Sequence, residues 1–142
     1  MVDQHDMSTV IGDYCTILYI GSRDGYVTEE MKKLNNRFSM IPIYVNSERK
    51  LGHVIRTEYR NINYVLYGCI VRNSQGDPFN FEFFEMCLRK VRGNYEKDKH
   101  YYVAIDAFRE RTDEMIMAKI INLMRNTLHD MEIHICWSDP SP

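Results

Sequence analysis

Short apolar runs alternate along the chain with stretches in which apolar residues recur at helical spacing. Residues 15–20 are an apolar run rich in strand-forming side chains and are followed by a glycine, which predicts a buried strand. Thr28 is a typical helix N-cap, and the apolar residues after it recur at steps of three and four: Met31, Leu34 and Phe38. The first part of the chain therefore predicts a strand followed by a helix.

The middle of the chain predicts a hairpin and a second helix. Residues 53–59 and 64–71 are strand-like, and the short polar link 60–63 between them is typical of a hairpin. Asp77 and Pro78 together predict a helix start, with the aspartate as cap and the proline in the first turn. The apolar face of this helix holds Phe81, Phe84, Leu88 and Val91, and Gly93 is its expected end.

The last third of the chain predicts a strand, a helix and a final strand. Residues 101–105 are strand-like, and residues 112–114 combine a cap with acidic residues at a helix start. The apolar face of this helix holds Met117, Ile121, Met124 and Leu128. In the last strand Ile133, Ile135 and Trp137 alternate with Glu132, His134 and Cys136, so one face should be more polar.

The predicted order, β–α–β–β–α–β–α–β, is typical of an α/β domain with helices on both faces of a mostly parallel sheet. Ligands bind such sheets beyond the carboxyl ends of the strands, where loops lead into helices. The loops of interest are therefore residues 21–27, 73–78 and 106–111, together with the end of the last strand at 136–137.

Composition and charge fit one ordinary globular domain. The chain has 142 residues, of which 44% are hydrophobic and 27% charged. A net charge of -2 argues against a general nucleic-acid binder, which usually carries a basic excess. We expect one domain over residues 10–138, with flexible ends at 1–9, which are polar, and at 139–142, which are rich in Ser and Pro.

Cysteine spacing and hydropathy indicate the compartment. The four cysteines lie far apart without a CxxC pair, which favours isolated buried thiols in a reducing compartment over disulfides. The first residues are polar, and no apolar segment is long enough for a membrane helix. We therefore expect a protein of the cytoplasm or nucleus that makes no contact with a membrane.

Several other residue groups have the chemistry of a metal, catalytic or phosphate site. His134 and Cys136 share a strand face, but no further ligand is spaced near them, so we predict no metal site. A cysteine nucleophile with a histidine base is an arrangement that five His and four Cys produce by chance. Five arginines could bind phosphate, although a solvated surface is favoured: Arg56, Arg60, Arg72, Arg109 and Arg111. Residues 79–84 include four phenylalanines, which indicates either a deeply buried helix or one that offers a face to another protein.

The order of elements resembles that of macro domains, and it is most similar to the branch that includes the terminal ADP-ribose protein glycohydrolase. The resemblance runs from about Gly12 to Trp137. The stretches that carry it are residues 10–13, 16–22, 31–38, 63–71, 79–91, 101–105, 112–128 and 132–137. It implies a three-layer α/β/α fold with a mixed, mostly parallel sheet, and it implies binding of ADP-ribose.

The resemblance also implies positions for a ligand. In macro domains an Asp near the first loop accepts a hydrogen bond from the adenine amino group, and Asp13 matches it, although Asp13 could instead close a turn after Gly12. Residues 22–28 match the first phosphate loop of the family, and the turn at 25–28 is expected to approach the diphosphate with backbone N–H groups near a helix N-terminus. The ligand-binding residues expected in this stretch are Ser22, Gly25 and Tyr26. The apolar contacts expected for the ligand come from Phe108 and Trp137.

The sequence departs from the family in its phosphate loops. The first loop of the family is rich in Gly and Ala, whereas only Gly25 remains here. Asp24 adds a negative charge where phosphates would lie, and Arg23 could offset that charge. The second loop, at residues 104–108, has no glycine.

The catalytic lysine of the glycohydrolase branch has no counterpart. That branch uses a Lys that attacks the sugar and an Asp that assists it, and the matching residues 69–73 contain no Lys. Arg72 cannot replace it, because its guanidinium stays protonated. Asp106 is the nearest candidate for an acid.

Three functional hypotheses follow. The first is a divergent macro module that binds ADP-ribose, a related nucleotide or an ADP-ribosylated protein without lysine-dependent catalysis and without a cofactor. The second is a protein-interaction module that has lost the ligand but kept the scaffold, which the glycine-poor loops favour. The third is an active hydrolase that uses water and Asp106, and the missing lysine leads us to favour a protein that is not an enzyme.

Overall fold

The computed structural model describes residues 2–5, 15–59, 63–94, 102–106 and 113–136, and these form a three-layer α/β/α domain. A six-stranded sheet lies in the middle, in the order β1-β6-β5-β2-β4-β3. Its strands are β1 Val2–His5, β2 Cys15–Ser22, β3 Val54–Tyr59, β4 Tyr64–Arg72, β5 Tyr102–Asp106 and β6 Glu132–Cys136. Four neighbouring pairs are parallel, and only the β3–β4 hairpin pair is antiparallel. The predicted fold class, a mixed and mostly parallel sheet, is confirmed.

Helices cover both faces of the sheet. They are α1 Glu29–Phe38, α2 Ile41–Asn46, α3 Phe81–Gly93 and α4 Glu114–Thr127. Helices α3 and α4 pack on one face through Phe84, Leu88 and Met124. Helices α1 and α2 pack on the other through Met31 and Tyr44. Alternate residues of β4 enter the two cores, so all nine residues of this strand are buried.

Local sequence explains where the helices begin. The Thr28 side chain accepts a hydrogen bond from the Met31 N–H and caps α1, as predicted. The Asp113 carboxylate accepts from Met115 and Ile116 and caps α4. Acidic residues in both first turns, Glu29 and Glu114 among them, complement the positive end of the helix dipole.

Two sequence predictions need correction. The N-terminal nine residues were expected to be a flexible end, yet Val2–His5 form the edge strand β1, which pairs in parallel with β6. Helix α3 does not begin at Asp77 and Pro78, because Asn80 caps it through the Phe83 N–H. The Asp77 carboxylate instead accepts from the Ser74 N–H and closes the preceding turn.

The described cysteines fit the predicted isolated, buried thiols. Cys15, Cys69 and Cys87 are free and buried. Burial raises the pKa of Cys15 to about 12, which makes its thiol a poor nucleophile at neutral pH. Met117 and Met124 are buried against the sheet, whereas Met115 is exposed. Within the described part of the chain no cluster of three or more possible metal ligands occurs, and no helix could cross a membrane.

Candidate functional site

The carboxyl ends of the parallel strands meet at one edge of the sheet, as the strand order predicted. Ser22 at the end of β2 pairs with Arg72 at the end of β4. Asp106 at the end of β5 pairs with Cys136 at the end of β6. This carboxyl edge is where the β2–α1 loop, residues 23–28, and the β4–α3 loop, residues 73–80, leave the sheet.

The β2–α1 loop continues the pairing of β2 with β4 before it turns. Arg23 N–H donates to the Arg72 carbonyl at 2.9 Å, and Asp24 N–H donates to the Asn73 carbonyl at 3.0 Å. Gly25 then turns back, with a φ of 80° and its N–H on the Ser22 carbonyl. This left-handed conformation favours glycine, and an added Cβ would also lie 2.8 Å from the Arg49 guanidinium. The position of the one glycine in the loop is therefore fixed by the turn itself.

The Asp24 carboxylate is the centre of the hydrogen bonding between the two loops. Its Oδ1 accepts from the Ser22 hydroxyl at 2.5 Å and from the Tyr26 N–H at 3.0 Å. Its Oδ2 accepts from the Gln75 N–H of the β4–α3 loop at 3.3 Å. Partial desolvation acts to raise the pKa of Asp24, but these hydrogen bonds and the Arg49 charge outweigh it and lower the pKa below its ordinary range. The carboxylate is therefore ionised at neutral pH.

Helix α2 supplies a second set of contacts to the β2–α1 loop. The Tyr44 hydroxyl lies 3.0 Å from both the N–H and the carbonyl of Ser22, and 3.3 Å from the Tyr26 carbonyl. Arg49 follows the helix and stacks on the Tyr44 ring at 5.6 Å. Its guanidinium donates to the Arg23 carbonyl and to three carbonyls at the end of α2, those of Tyr44, Val45 and Ser47. Neither residue was predicted from the sequence, because α2 itself was not.

A pocket of about 260 Å³ lies beside the end of β4, under the β4–α3 loop. Its lining is Val71, Arg72, Asn73, Asp77, Pro78, Phe79, Asn80 and Phe83. Arg72 is buried and its guanidinium lies 5.5 Å from the centre of the Phe79 ring. Among the described residues that line this pocket there is no lysine.

The structure brings together some of the predicted ligand contacts. Ser22 is buried, whereas the Tyr26 side chain is 52% exposed beside the carboxyl edge. Arg23 does not offset the Asp24 charge as suggested: its guanidinium is 3.5 Å from the Asn73 side chain, and Arg49 is the cation that lowers the Asp24 pKa.

The remaining predicted positions are less completely described. Asp106 ends β5 at the carboxyl edge, and its backbone position is described. Asp13, Phe108 and Trp137 lie outside the described residues, so their predicted roles stay predictions.

Comparison with known proteins identifies the fold. No protein-family model matches the sequence, and no curated protein does. A crystal structure of a protein from Bacteroides thetaiotaomicron is similar with a TM-score of 0.79 at 14% identity, over 97% of this chain and 99% of that one. The macrodomain of Mycobacterium tuberculosis DarG is similar with a TM-score of 0.74 at 10% identity, over 98% of this chain and 99% of that one.

Some of the similar structures contain a ligand. Thermosipho africanus DarTG, solved in complex with ADP-ribose, is similar with a TM-score of 0.71 at 12% identity, over 89% of this chain and 39% of that one. These likenesses show that the chain has the macrodomain fold, as the resemblance implied.

Proposed function

We propose that the carboxyl edge of this sheet binds ADP-ribose or a related nucleotide, either free or attached to a protein. The observation that carries the proposal is the likeness of the whole chain to macrodomain structures, one of them in complex with ADP-ribose. The β2–α1 loop and the β4–α3 loop meet at the edge where parallel α/β sheets bind ligands. Fold alone does not carry function, so the proposal also needs residues at this edge that could contact a nucleotide.

Two residues of the β2–α1 loop, together with Ser22 at the end of β2, would supply such contacts. The exposed ring of Tyr26 offers an aromatic face on which a base or ribose could pack. The tight turn at Gly25, next to Ser22, lets a ligand approach the backbone closely. Asp13 would read the adenine amino group, as the resemblance implies, because a carboxylate accepts from a donor that a keto base lacks.

Calorimetric titration with ADP-ribose tests the proposal. We expect saturable binding by the wild-type protein. Asp13→Ala should weaken binding about tenfold or more, since a hydrogen bond to a charged group is lost, with little change in the free energy of unfolding. Asp130→Ala is the matched control, because Asp130 pairs with Arg92 just before β6, at the opposite edge of the sheet. Absence of heat at millimolar ADP-ribose would remove the proposal.

We do not extend the proposal to lysine-dependent cleavage. The last residue of β4 is Arg72. Its guanidinium stays protonated, so it cannot form a Schiff base. Incubation with ADP-ribosylated protein should therefore release no ADP-ribose above background, and borohydride should trap no adduct on the chain. Turnover that Asp106→Asn abolishes would instead favour a water-based hydrolase.

A second function is favoured by one specific observation. Three hydrogen-bond donors from the end of β2 and the two loops are already bonded to Asp24, which fits a protein-interaction module that has lost its ligand. The titration separates the two functions: saturable binding weakened by Asp13→Ala supports the nucleotide, whereas silence together with a co-purifying protein partner supports the interaction module.

A further inference from the structure

One carboxylate occupies the space between the two loops of the carboxyl edge. A hydroxyl from the end of β2, an N–H from the β2–α1 loop and an N–H from the β4–α3 loop all point at Asp24. Converging N–H and O–H donors of this kind form an anion-binding site in proteins. Here the anion is part of the chain, because all three donors bond the Asp24 carboxylate.

Because Asp24 already uses these donors, it disfavours anionic ligands at this edge. An entering phosphate would have to displace Asp24 from its donors or else lie beside a like charge a few ångströms away. Arg49, the cation whose charge acts on this carboxylate, already donates to four backbone carbonyls. A neutral ligand avoids both costs, since it needs none of the donors that Asp24 uses.

We propose that Asp24 is the specificity-determining residue of this edge, and that it acts as an internal anion that removes the preference of the edge for nucleoside diphosphates over nucleosides. The inference rests on the proposed function and deepens it. In the wild-type protein the diphosphate of ADP-ribose contributes no net affinity, so adenosine and ADP-ribose bind with similar strength. Removing the charge of Asp24 turns the loops into a phosphate-binding site.

The main variant is Asp24→Asn. The amide oxygen can still accept from Ser22 and Tyr26, but the charge is lost and the Gln75 N–H loses its acceptor. Asp24→Ser is a second variant, whose hydroxyl can still bond the Tyr26 N–H in a serine turn and so maintain the loop. The matched control is Glu29→Gln, which removes one nearby negative charge from the exposed Lys32 pair without touching the loop donors.

The experiment measures affinity for adenosine, ADP-ribose and inorganic pyrophosphate by titration, with backbone amide shifts of Tyr26 and Gln75 recorded by NMR. We expect Asp24→Asn to bind ADP-ribose about tenfold more tightly than wild type, because a nearby like charge is removed and an N–H is freed. Adenosine affinity should change less than about twofold. Pyrophosphate should shift the Gln75 amide in Asp24→Asn and Asp24→Ser but leave it unchanged in the wild type and in Glu29→Gln.

Two results would overturn the inference. One is a failure of both Asp24 variants to bind pyrophosphate more tightly than wild type. The other is an equal gain in pyrophosphate affinity in Glu29→Gln. That result would show that the lower negative charge, and not the release of the donors from Asp24, causes the tighter binding. If no protein binds adenosine or ADP-ribose, the proposed function fails, while the pyrophosphate measurement still decides the role of Asp24.

Discussion

Replacing Phe84 with alanine should lower the free energy of unfolding by about 3–5 kcal/mol. Phe84 is fully buried in the core between the sheet and helices α3 and α4, and its ring lies 5.2 Å from that of Phe79. Alanine would leave a cavity in a close-packed region that can relax only in part. Because a domain of this kind is stable by only about 5–15 kcal/mol, the variant should unfold at a much lower denaturant concentration.

Met86→Ala is the matched control for this prediction. Met86 lies two residues further along α3, but 41% of it is exposed. Its truncation removes less buried surface and should cost less than about 1 kcal/mol. Equilibrium urea unfolding followed by circular dichroism measures both variants, and equal losses would show that α3 does not pack on the sheet as described.

The phenylalanine-rich segment, residues 79–84, is only partly buried at the start of the same helix. Phe79 and Phe84 are buried, whereas Phe81 and Phe83 are partly exposed. The segment is apolar on several faces because Phe79 precedes the helix and packs under it, while Phe84 points into the core. Lys119 of α4 lies over the Phe81 ring at 5.0 Å, so part of this apolar surface is covered within the chain.

The fold was predictable because its central strands carry strong signals. Residues 64–71 are apolar without interruption, as a strand buried on both faces must be, and β4 is buried over its whole length. The short polar link before it specified the antiparallel pair with β3. Because Thr28 is a favourable N-cap residue, the sequence predicted the first residue of α1 correctly.

Elements with weak local signals were missed. The edge strand β1 has only four residues, three of them polar, so nothing in its sequence distinguishes it from a loose end. Its pairing with β6 is a tertiary effect. Helix α2 has six residues and contains a proline, which puts it below the length at which periodicity can be read. Asp77 and Asn80 are both suitable cap residues for α3. Asn80 caps the helix, because the Asp77 carboxylate accepts from the Ser74 N–H in the preceding turn.

The loops of the candidate site could be located from the sequence, but their hydrogen-bond network could not. Ser22, Gly25 and Tyr26 lie where the sequence placed them, because parallel sheets present their loops at one edge, and their contact with a ligand stays a prediction. The sequence also identified Asp24 as a charge in the wrong place for a phosphate. It could not show that this charge is held by donors from two loops, because Gln75 is 51 residues away in the chain. For the same reason Tyr44 and Arg49 gave no signal.

The tyrosine pair behind the β2–α1 loop gives the sharpest test of that network. Tyr44 and Tyr19 are both buried, and their rings meet edge to face at 5.9 Å. The Tyr44 hydroxyl satisfies the buried Ser22 backbone, whereas within the described part of the chain the buried Tyr19 hydroxyl has no hydrogen-bond partner. Gly68 leaves room for it, since a Cβ there would lie 2.6 Å from the Tyr19 oxygen.

Removing the same atom from each ring should therefore have opposite effects. Tyr44→Phe leaves the Ser22 N–H buried without an acceptor and should cost about 1–3 kcal/mol of unfolding free energy. Tyr19→Phe removes an unsatisfied hydroxyl and should leave stability unchanged or raise it by up to about 1 kcal/mol. Denaturant unfolding gives both values, and hydrogen exchange of the Ser22 amide should accelerate only in Tyr44→Phe. No loss of stability in Tyr44→Phe would mean that ring packing, and not the Tyr44 hydroxyl, holds the loop against the sheet.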